Sequence, residues 1–312
     1  MLRYAFWRMA QMVPIVLGTT ALIFVAVYAL PGDPLTTLAG PDQVLSESVR
    51  AELTERYGLD DPLPVRYVHY LGGLLTGDFG VDFRGVEVAH LIERAWPPTL
   101  ILGVTAWGIM AVVGVGLGTW SGMRAGGTVD WAILGATTVI LGVPYFVLAY
   151  VAQIVLGVNL DWFPASGVRD GWPMSYLLPA TCLAMFGIPE LVRLTRASVT
   201  ENRHAEYVDT AVAKGLPPWQ ITVRHVLRTS MIPVVSVLGL SLGGMLGGAV
   251  LIEGIFNVPG LGHAIFTGIT QQNGPVVVGV GTLLVLIFLV VNLLVDLVYG
   301  VLDPRISLAR AR

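Results

Sequence analysis

The stretch Glu201–Pro233, ENRHAEYVDTAVAKGLPPWQITVRHVLRTSMIP, is polar and basic and lies between two strongly apolar runs. Its first part, Ala205–Gly215, has the pattern of a short amphipathic helix. Gly215 can supply the left-handed conformation that caps a helix at its C-terminus, and Pro217 and Pro218 prevent continuation. A second helix can begin at Pro218, because the N–H that proline lacks has no partner in a first turn. The stretch therefore predicts a small helix held across the end of a membrane bundle.

This predicted helix has two faces of different character. The apolar stripe consists of Val208, Ala211 and Val212, and the polar face of Glu206, Thr210 and Lys214. Three small residues, Ala205, Ala211 and Ala213, would let the surface of another protein come close. An ordinary loop with one helical turn is the alternative interpretation.

The same stretch resembles the cytoplasmic EAA-type loop of ABC-importer permeases, in the form found in the dipeptide/oligopeptide permease family. That family's run is close to YV-x-T-A-x-AKGL, and Tyr207–Leu216 matches it with YVDTAVAKGL. Further matches follow at Arg224-His225, Leu227-Arg228 and Ile232-Pro233-Val234. Against the wider EAA-x3-G pattern, Asp209 and Thr210 stand where Glu and Ala are usual.

The resemblance implies that residues 201–231 form a coupling loop that is pushed by two ATP-binding subunits, or by one fused pair. The residues implied in that contact are Glu206, Tyr207, Asp209, Thr210, Ala211, Lys214, Gly215 and Leu216. A second homologous permease subunit and an extracytoplasmic substrate-binding protein are the other implied partners. The sequence contains no GxxxxGK[ST] phosphate loop, so ATP hydrolysis would be supplied by the partners and the chain itself would not be an enzyme.

The composition is that of a multi-span membrane protein, because 54% of the 312 residues are hydrophobic and only 12% are charged. The lipid bilayer is therefore an expected partner. Cys182 is the only cysteine, so no disulfide can form within the chain, and we expect it to be inert packing. We expect no metal, cofactor or nucleic-acid site, because neither ligand clusters nor a basic patch suited to nucleic acid occur in the sequence.

Six apolar runs are long enough to cross a bilayer as helices. They lie at about Met12–Leu30, Thr99–Trp120, Trp131–Val158, Tyr176–Val199, Ile232–Ile252 and Val276–Tyr299. A cleaved signal peptide competes for the first run, but its length favours a span. That run stops at Pro31-Gly32-Asp33-Pro34, which resembles the PGDP that ends the first span in this permease family. The predicted fold is an all-α polytopic membrane protein with six transmembrane helices, and the resemblance implies the type I ABC-importer permease fold.

The predicted divisions are an N-terminal tail and first span at 1–34, an extracytoplasmic segment at 35–95, a five-helix core at 96–303 and a cytoplasmic tail at 304–312. In the second of these, Ser46–Tyr57 and Pro64–Leu75 have helical patterns, and Ser46 is a candidate N-cap. Leu59–Pro62 and Gly77–Gly80 resemble the family's first external loop, which implies a docking surface or lid for a binding protein. A solvated cap that only stabilises the bundle is the alternative.

The distribution of basic residues predicts the orientation. Of the 18 lysines and arginines, twelve lie in the segments that are inside if the N-terminus is inside. By the positive-inside rule, both termini and the coupling loop would be cytoplasmic, in the inner membrane of a prokaryote.

Small residues predict where helices approach closely or move. Gly114, Gly116 and Gly118 would allow close packing of the second span. In the fifth span the glycines that would allow sliding or hinging during gating, or only static packing, are Gly239, Gly243, Gly244, Gly247 and Gly248. Pro144 and Pro179 are expected to kink their helices.

The segment after the fifth span, Glu253–Gly262 with the sequence EGIFNVPGLG, predicts a turn-rich loop that cannot cross lipid. It resembles the family's E-x-x-F-x-x-PG-x-G external segment. The residues that carry this resemblance are Glu253, Phe256, Pro259, Gly260 and Gly262. Asp303-Pro304-Arg305 also resembles the ending of the family, so the resemblance covers nearly the whole chain.

Few ionisable residues lie inside the predicted spans. Glu190 and Arg193 are three positions apart and would pair on one helix face, with a pathway role for Glu190 as a weaker alternative. Asp296, near the cytoplasmic end of the last span, would form a structural pair. Gln153 is merely polar.

The resulting hypothesis is the permease subunit of an ATP-driven importer of dipeptides or oligopeptides that works by alternating access. Relatives of the family also carry nickel chelates, haem or glutathione-like compounds, and these cargoes stay open. A self-sufficient secondary transporter predicts midplane ionisable sites and an internal repeat, neither of which is clear in the sequence. An intramembrane enzyme would need a nucleophile or a metal constellation, and none is visible.

Overall fold

The computed structural model describes residues 2–28, 47–48, 51, 54 and 58–302, with side chains within 7–295. Several predictions fall outside this part of the chain: most of the Ser46–Tyr57 helix with its cap, Pro31–Pro34, Asp303–Arg305 and the side chain of Asp296.

Regular structure in the described residues is helical, apart from one antiparallel bridge between Val81 and Glu87. The eleven helices labelled here are α1 Leu2–Tyr28, α2 Leu63–Leu75, α3 Val88–Met123, α4 Thr128–Gly142, α5 Tyr145–Asn159, α6 Met174–Ala184, α7 Ile188–Asn202, α8 Glu206–Ala213, α9 Pro218–Phe256, α10 Leu261–Thr270 and α11 Gly274–Leu302. Two segments have π-helical geometry, Gln153–Asn159 at the end of α5 and Ile221–Leu227 near the start of α9.

Four helices, α1, α3, α9 and α11, are individually long and apolar enough to cross a membrane. The pairs α4–α5 and α6–α7 pass the same test together, and they bend by 97° and 62°. Counting each pair as one span reproduces the six predicted spans. α4 ends at Gly142 and α5 follows Pro144, as predicted, whereas the kink predicted at Pro179 is wrong. α6 runs through Pro179, and the second bend falls at residues 185–187, where Phe186 and Gly187 donate to carbonyls three residues back instead of four.

The chain divides into two compact units. The first contains residues 1–99 and 259–312, and α1 packs along α11 within it. Val88, Leu261 and Val280 are buried in its core. The predicted helix near residues 64–75 is confirmed as α2, where Tyr70 donates a hydrogen bond to Thr282 Oγ1 in α11 at 2.8 Å.

The second unit contains residues 100–258, that is, the rest of α3 and all of α4–α9. Its core forms where α9 packs against α6 and α7. Cys182 is buried in this core, in keeping with the expected packing role. Gln153 is more than merely polar, because its Nε2 donates to the carbonyls of Ala165 and Ile255, each at 2.8 Å. This side chain connects α5, the following loop and the end of α9.

α3 and α7 approach each other closely along a row of glycines. A Cβ placed on Gly114 would lie 2.6 Å from Leu191, one on Gly118 2.5 Å from Thr195, and one on Gly122 2.8 Å from Val199. The prediction of close packing is therefore correct for Gly114 and Gly118. It is wrong for Gly116, which has open space, and it missed Gly122. The three glycines recur every four residues, so they share the helix face that meets α7.

The predicted glycine region of the fifth span lies in a stretch of α9 that stays helical throughout. Gly243 is buried, whereas a Cβ on Gly244 or Gly247 would meet nothing within 4 Å. Gly248 has a contact of ordinary length with Leu183, at 3.5 Å. A gating role for this region stays a prediction.

Candidate functional site

The predicted surface helix is present as α8, and its C-terminal end has the predicted left-handed glycine, whereas Ala205 lies before the helix instead of in it. Ala205 precedes it in an extended conformation, and Gly215 follows it with a φ of +73°. The N–H of Gly215 donates to the carbonyl of Val212 at 2.9 Å, and the N–H of Leu216 donates to that of Ala211 at 3.3 Å. These two bonds form a Schellman cap, which requires a left-handed residue at Gly215. The second helix begins at Pro218, also as predicted.

One face of α8 is buried against the rest of the second unit. Val208 is 6% exposed and packs in a cluster with Val199 of α7 and Val226 of α9. The predicted apolar stripe is wrong at Val212, which is 59% exposed. Val212 and Ala211 flank the position of Val208 on opposite sides, and only the Ala211 side is covered.

The opposite face of α8 is open. Among the predicted coupling residues, six are exposed: Glu206, Tyr207, Asp209, Thr210, Lys214 and Gly215. Leu216 is half-buried, and Ala211 is buried, so the prediction that Ala211 faces another protein is wrong. The nearby Trp219 is 64% exposed and was not among the predicted residues. Its position immediately after the two prolines was the available signal.

Acidic residues occupy the first turn of α8, where Glu206 and Asp209 interact favourably with the positive end of the helix dipole. Tyr207 donates a hydrogen bond from its hydroxyl to Asn202 Oδ1 at 2.8 Å, which connects α8 to the end of α7. The open face thus combines acidic, basic and apolar groups on a short helix with defined ends. Such a surface can receive a complementary protein surface.

Arg203 and a pair of serines join the end of α7, next to α8, to α3 and α9. The guanidinium of Arg203 donates to the last carbonyls of α3, at 2.6 Å for Met123 and 3.2 Å for Gly122. These carbonyls have no partner within their own helix. Ser198 of α7 and Ser230 of α9 each donate from the hydroxyl to the other's carbonyl at 3.1 Å.

An ion pair between a buried carboxylate and a half-buried guanidinium joins α4 to α7, and it was not predicted from the sequence. Asp130 is 1% exposed, and Arg196 contacts it in bidentate fashion, with distances of 2.5 Å and 2.6 Å. Ser121 of α3 and the N–H of Gly126 also donate to this carboxylate. We call Ser121, Gly126, Asp130 and Arg196 the Asp130 cluster. Its only sequence signal was an acid at the start of one span and an arginine near the end of another.

The predicted pair of Glu190 and Arg193 is not formed within the part of the chain that the structure describes. Arg193 instead donates to Thr138 Oγ1 of α4 at 2.9 Å, and Glu190 is exposed. The spacing of three permits such a pair but does not impose it, because another acceptor lies within reach of the guanidinium.

The segment 253–262 is more helical than predicted. Glu253 and Phe256 are buried in the last turns of α9, which ends at Asn257 with a φ of +54°. Pro259 is exposed, whereas Gly260 and Gly262 are buried at the start of α10. The predicted turn is thus limited to residues 257–260. Gly254 is tolerated inside α9, where a glycine costs only about 1 kcal/mol relative to alanine.

No group of three or more histidine, cysteine or acidic side chains capable of holding a metal ion occurs among the residues with described positions. The candidate site consists of the open face of α8 and its surroundings at Arg203 and the Asp130 cluster.

Two profiles of known protein families match this chain. The profile described as "Binding-protein-dependent transport system inner membrane component" matches residues 114–308. The profile "Binding-prot-dependent transport system membrane comp, N-term" matches residues 1–89. The first match covers more than half of the chain.

Several relatives match over nearly their whole length. Dipeptide transport system permease protein DppB of Bacillus subtilis is 36% identical over 99% of both chains. The probable peptide ABC transporter permease protein y4tP of Sinorhizobium fredii is 34% identical, over 97% of this chain and 98% of its own. The oligopeptide transport system permease protein AppB of Bacillus subtilis is 33% identical, over 98% of this chain and 100% of its own.

A solved structure supports the fold. The structure titled "Crystal structure of an amino acid ABC transporter with histidines" aligns with a TM-score of 0.50 and 14% identity, over 66% of this chain and 92% of that one. Permeases of this kind work with ATPase and substrate-binding components. The chain therefore belongs to the family of inner membrane components of binding-protein-dependent transport systems, and is a non-catalytic, multi-pass permease subunit of an ABC transporter.

Proposed function

We propose that this chain is the permease subunit of an ATP-driven importer that moves dipeptides or oligopeptides by alternating access. The observation that carries the proposal is α8, a capped helix whose exposed face combines acidic, basic and apolar side chains. It occurs in a chain whose full-length relatives are named as peptide permeases. Nickel chelates, haem and glutathione-like compounds are the competing cargoes.

In this proposal the chain lies in the inner membrane of a prokaryote, with both termini and α8 in the cytoplasm. The excess of lysine and arginine in the corresponding segments supports this orientation. Segment 35–95, including α2, would then lie outside the membrane on the other side, as a docking surface for a substrate-binding protein. The divisions at residues 34, 95 and 303 follow the same scheme.

The proposed assembly contains a second homologous permease subunit and two ATP-binding subunits or one fused pair. Closure of those subunits on ATP would displace α8 through Tyr207, Asp209, Lys214 and neighbouring exposed residues. For this to drive transport, ATP binding must stabilise the outward-facing arrangement more than the inward-facing one. The glycines of α9 at 239, 243, 244 and 247 are the proposed sites of helix movement, and segment 253–262 shapes the outer end of α9.

The test is the ratio of peptide taken up to ATP hydrolysed by the assembled complex with its binding protein. Gly215→Pro should uncouple the two activities, because proline cannot adopt the φ of +73° that the cap requires. Asp209→Lys should do the same by reversing a charge on the open face. Asp170→Lys, which makes the same change at an exposed acid far along the chain from α8, is the control and should remain coupled.

Normal coupled uptake by both α8 variants would contradict the proposal. Uptake by the single chain, reconstituted alone and driven by an ion gradient, would favour a secondary transporter instead. Competition for uptake by a nickel chelate, haem or glutathione, and not by dipeptides, would reject the peptide cargo while leaving the importer class intact.

A further inference from the structure

We propose that Asp130, Arg196 and Arg203 are positioning residues that transmit the displacement of α8 to the α3–α4 hairpin. The inference rests on the proposed function, because it assumes that α8 is displaced by a partner. None of these three residues belongs to α8. Asp130 lies in α4, Arg196 in α7, and Arg203 between α7 and α8.

The first link is the attachment of α8 to the end of α3. Arg203 lies between α7 and α8, and its guanidinium donates to the carbonyls of Gly122 and Met123. Hydrogen bonds from an ionised donor are about twice as strong as neutral ones. Met123 also packs against the cluster of Val199, Val208 and Val226 beneath α8. A displacement of α8 would therefore reach the last turn of α3 through Met123 in this cluster and through Arg203 at the end of α7.

The second link is the Asp130 cluster, which joins three helices at one point. The carboxylate accepts from Arg196 of α7, from Ser121 of α3 and from the N–H of Gly126 in the connecting turn, while Asp130 itself lies in the first turn of α4. Separating any of these helices would leave a buried charge without its partners, which is strongly unfavourable. The cluster therefore holds α3, α4 and α7 in one relative position.

The third link is the close approach of α3 and α7 along their glycines. A Cβ on Gly118 would lie 2.8 Å from the carbonyl oxygen of Val192, and one on Gly122 would lie 2.9 Å from that of Arg196. Backbone approaches of this kind leave no flexible side chain to absorb a shift. The helices α3 and α7 should therefore move as one body at this end.

The corresponding connection to α9 contains only neutral groups. Ser198 and Ser230 exchange two hydrogen bonds of 3.1 Å, and the neighbouring part of α9 is π-helical. Neutral bonds of this length restrain less than a bidentate ion pair. The charged contacts therefore lead from α7 to the α3–α4 hairpin, whereas α9 is joined by neutral hydrogen bonds and by apolar packing, including Val226 against Val208.

Two helix breaks adjoin the segments that the Asp130 cluster holds together. α4 leads from Asp130 to the break before Pro144, and α7 follows the break at residues 185–187. The rings of Tyr145 and Phe186, one from each break, are in edge contact with centroids 5.6 Å apart. If α4 and α7 move together, the displacement would change the bend between α4 and α5 and the bend between α6 and α7.

The experiment uses the complete complex in proteoliposomes and measures peptide uptake per ATP hydrolysed. Asp130→Asn, Arg196→Lys and Arg203→Lys should each lower this ratio by about 2- to 30-fold, the range expected for residues on a coupling path. Arg196→Lys and Arg203→Lys keep their charge and lose only the forked geometry, so they decide the outcome if Asp130→Asn does not assemble. The matched control is Arg193→Lys, the same change at an exposed position of the same helix, and it should keep the wild-type ratio.

A merely structural role would lower uptake and hydrolysis in equal proportion by reducing the amount of folded complex, and this result would overturn the inference. An unchanged ratio in all three variants would also overturn it. If Gly215→Pro and Asp209→Lys still uncouple the complex in that case, the proposed function stands and only the transmission path is wrong. If those two variants are coupled as well, the proposed function itself has failed.

Discussion

At the scale of single residues, Gly118 shows how little space separates α3 from α7. Gly118→Ala would place a Cβ 2.5 Å from that of Thr195 and 2.8 Å from the carbonyl oxygen of Val192. Because a backbone atom is one of the two neighbours, the helices would have to move apart. We expect a loss of about 1–3 kcal/mol in the free energy of unfolding, the usual cost of overfilling a packed site. The measurement is the thermal stability of the detergent-solubilised chain.

Gly116 provides the control, because it lies on the same helix and has no neighbour within 4 Å of its Cβ position. Gly116→Ala should be neutral or stabilising by up to about 1 kcal/mol, since alanine restricts the unfolded chain. Equal effects of the two substitutions would mean that α3 and α7 are not in the close contact described.

Gln153 gives a second prediction at this scale. Its side-chain amide donates to the carbonyls of Ala165 and Ile255, so Gln153→Leu removes both donors from a half-buried site. We expect a loss of about 1–3 kcal/mol in stability, because buried carbonyls would be left without partners. Thr181→Ala is the control, since that hydroxyl bonds only to its own helix, at the carbonyl of Leu177. A change no larger than that of the control would contradict the assigned role of Gln153.

At the scale of elements, α8 depends on one buried valine and exposes another. Val208→Ser would place a hydroxyl in the apolar cluster with Val199 and Val226, at a cost of about 1–3 kcal/mol. We expect faster amide hydrogen exchange throughout residues 206–213 of the isolated chain. Val212→Ser, on the exposed flank, should leave the exchange unchanged. Faster exchange in the Val212→Ser variant but not in the Val208→Ser variant would mean that α8 packs on the rest of the chain through its Val212 flank.

The two broken spans show why helix ends cannot be predicted from proline alone. Pro144 begins a new helix because the chain turns before it, and its fixed φ suits a helix start. Pro179 remains inside α6, in a segment whose side chains are mostly buried. The second break, at residues 185–187, includes Gly187. A Cβ on Gly187 would lie 2.2 Å from the sulfur of Met110. Close packing against α3 therefore accompanies this break.

At the scale of the whole molecule, the proposed orientation can be tested with cysteine labelling. Cys182 is buried, so a reagent that cannot cross membranes has little background. Leu75→Cys and Lys214→Cys place a thiol at exposed positions, at the end of α2 and immediately after α8. We expect Leu75→Cys to react from outside intact cells, and Lys214→Cys to react only after the membrane is opened. Labelling of both from the same side would overturn the proposed topology.

The sequence by itself determined the helical class, the six apolar runs, α8 with its glycine cap and its second helix at Pro218, and the family. These features depend on periodicity and on interactions within about one helical turn, which the order of residues states directly. A ten-residue match such as Tyr207–Leu216 is likewise contained in the order of residues.

Only the tertiary structure decided which side chains meet. Asp130 and Arg196 are 66 positions apart, and neither has a local pattern that selects the other over Glu190 or Arg193. The same holds for the burial of Val208 over Val212 and for the contact at Gly118 but not Gly116, since each depends on where a neighbouring helix lies. Contacts between distant segments are set by how the helices pack, and local sequence patterns carry no distance between them.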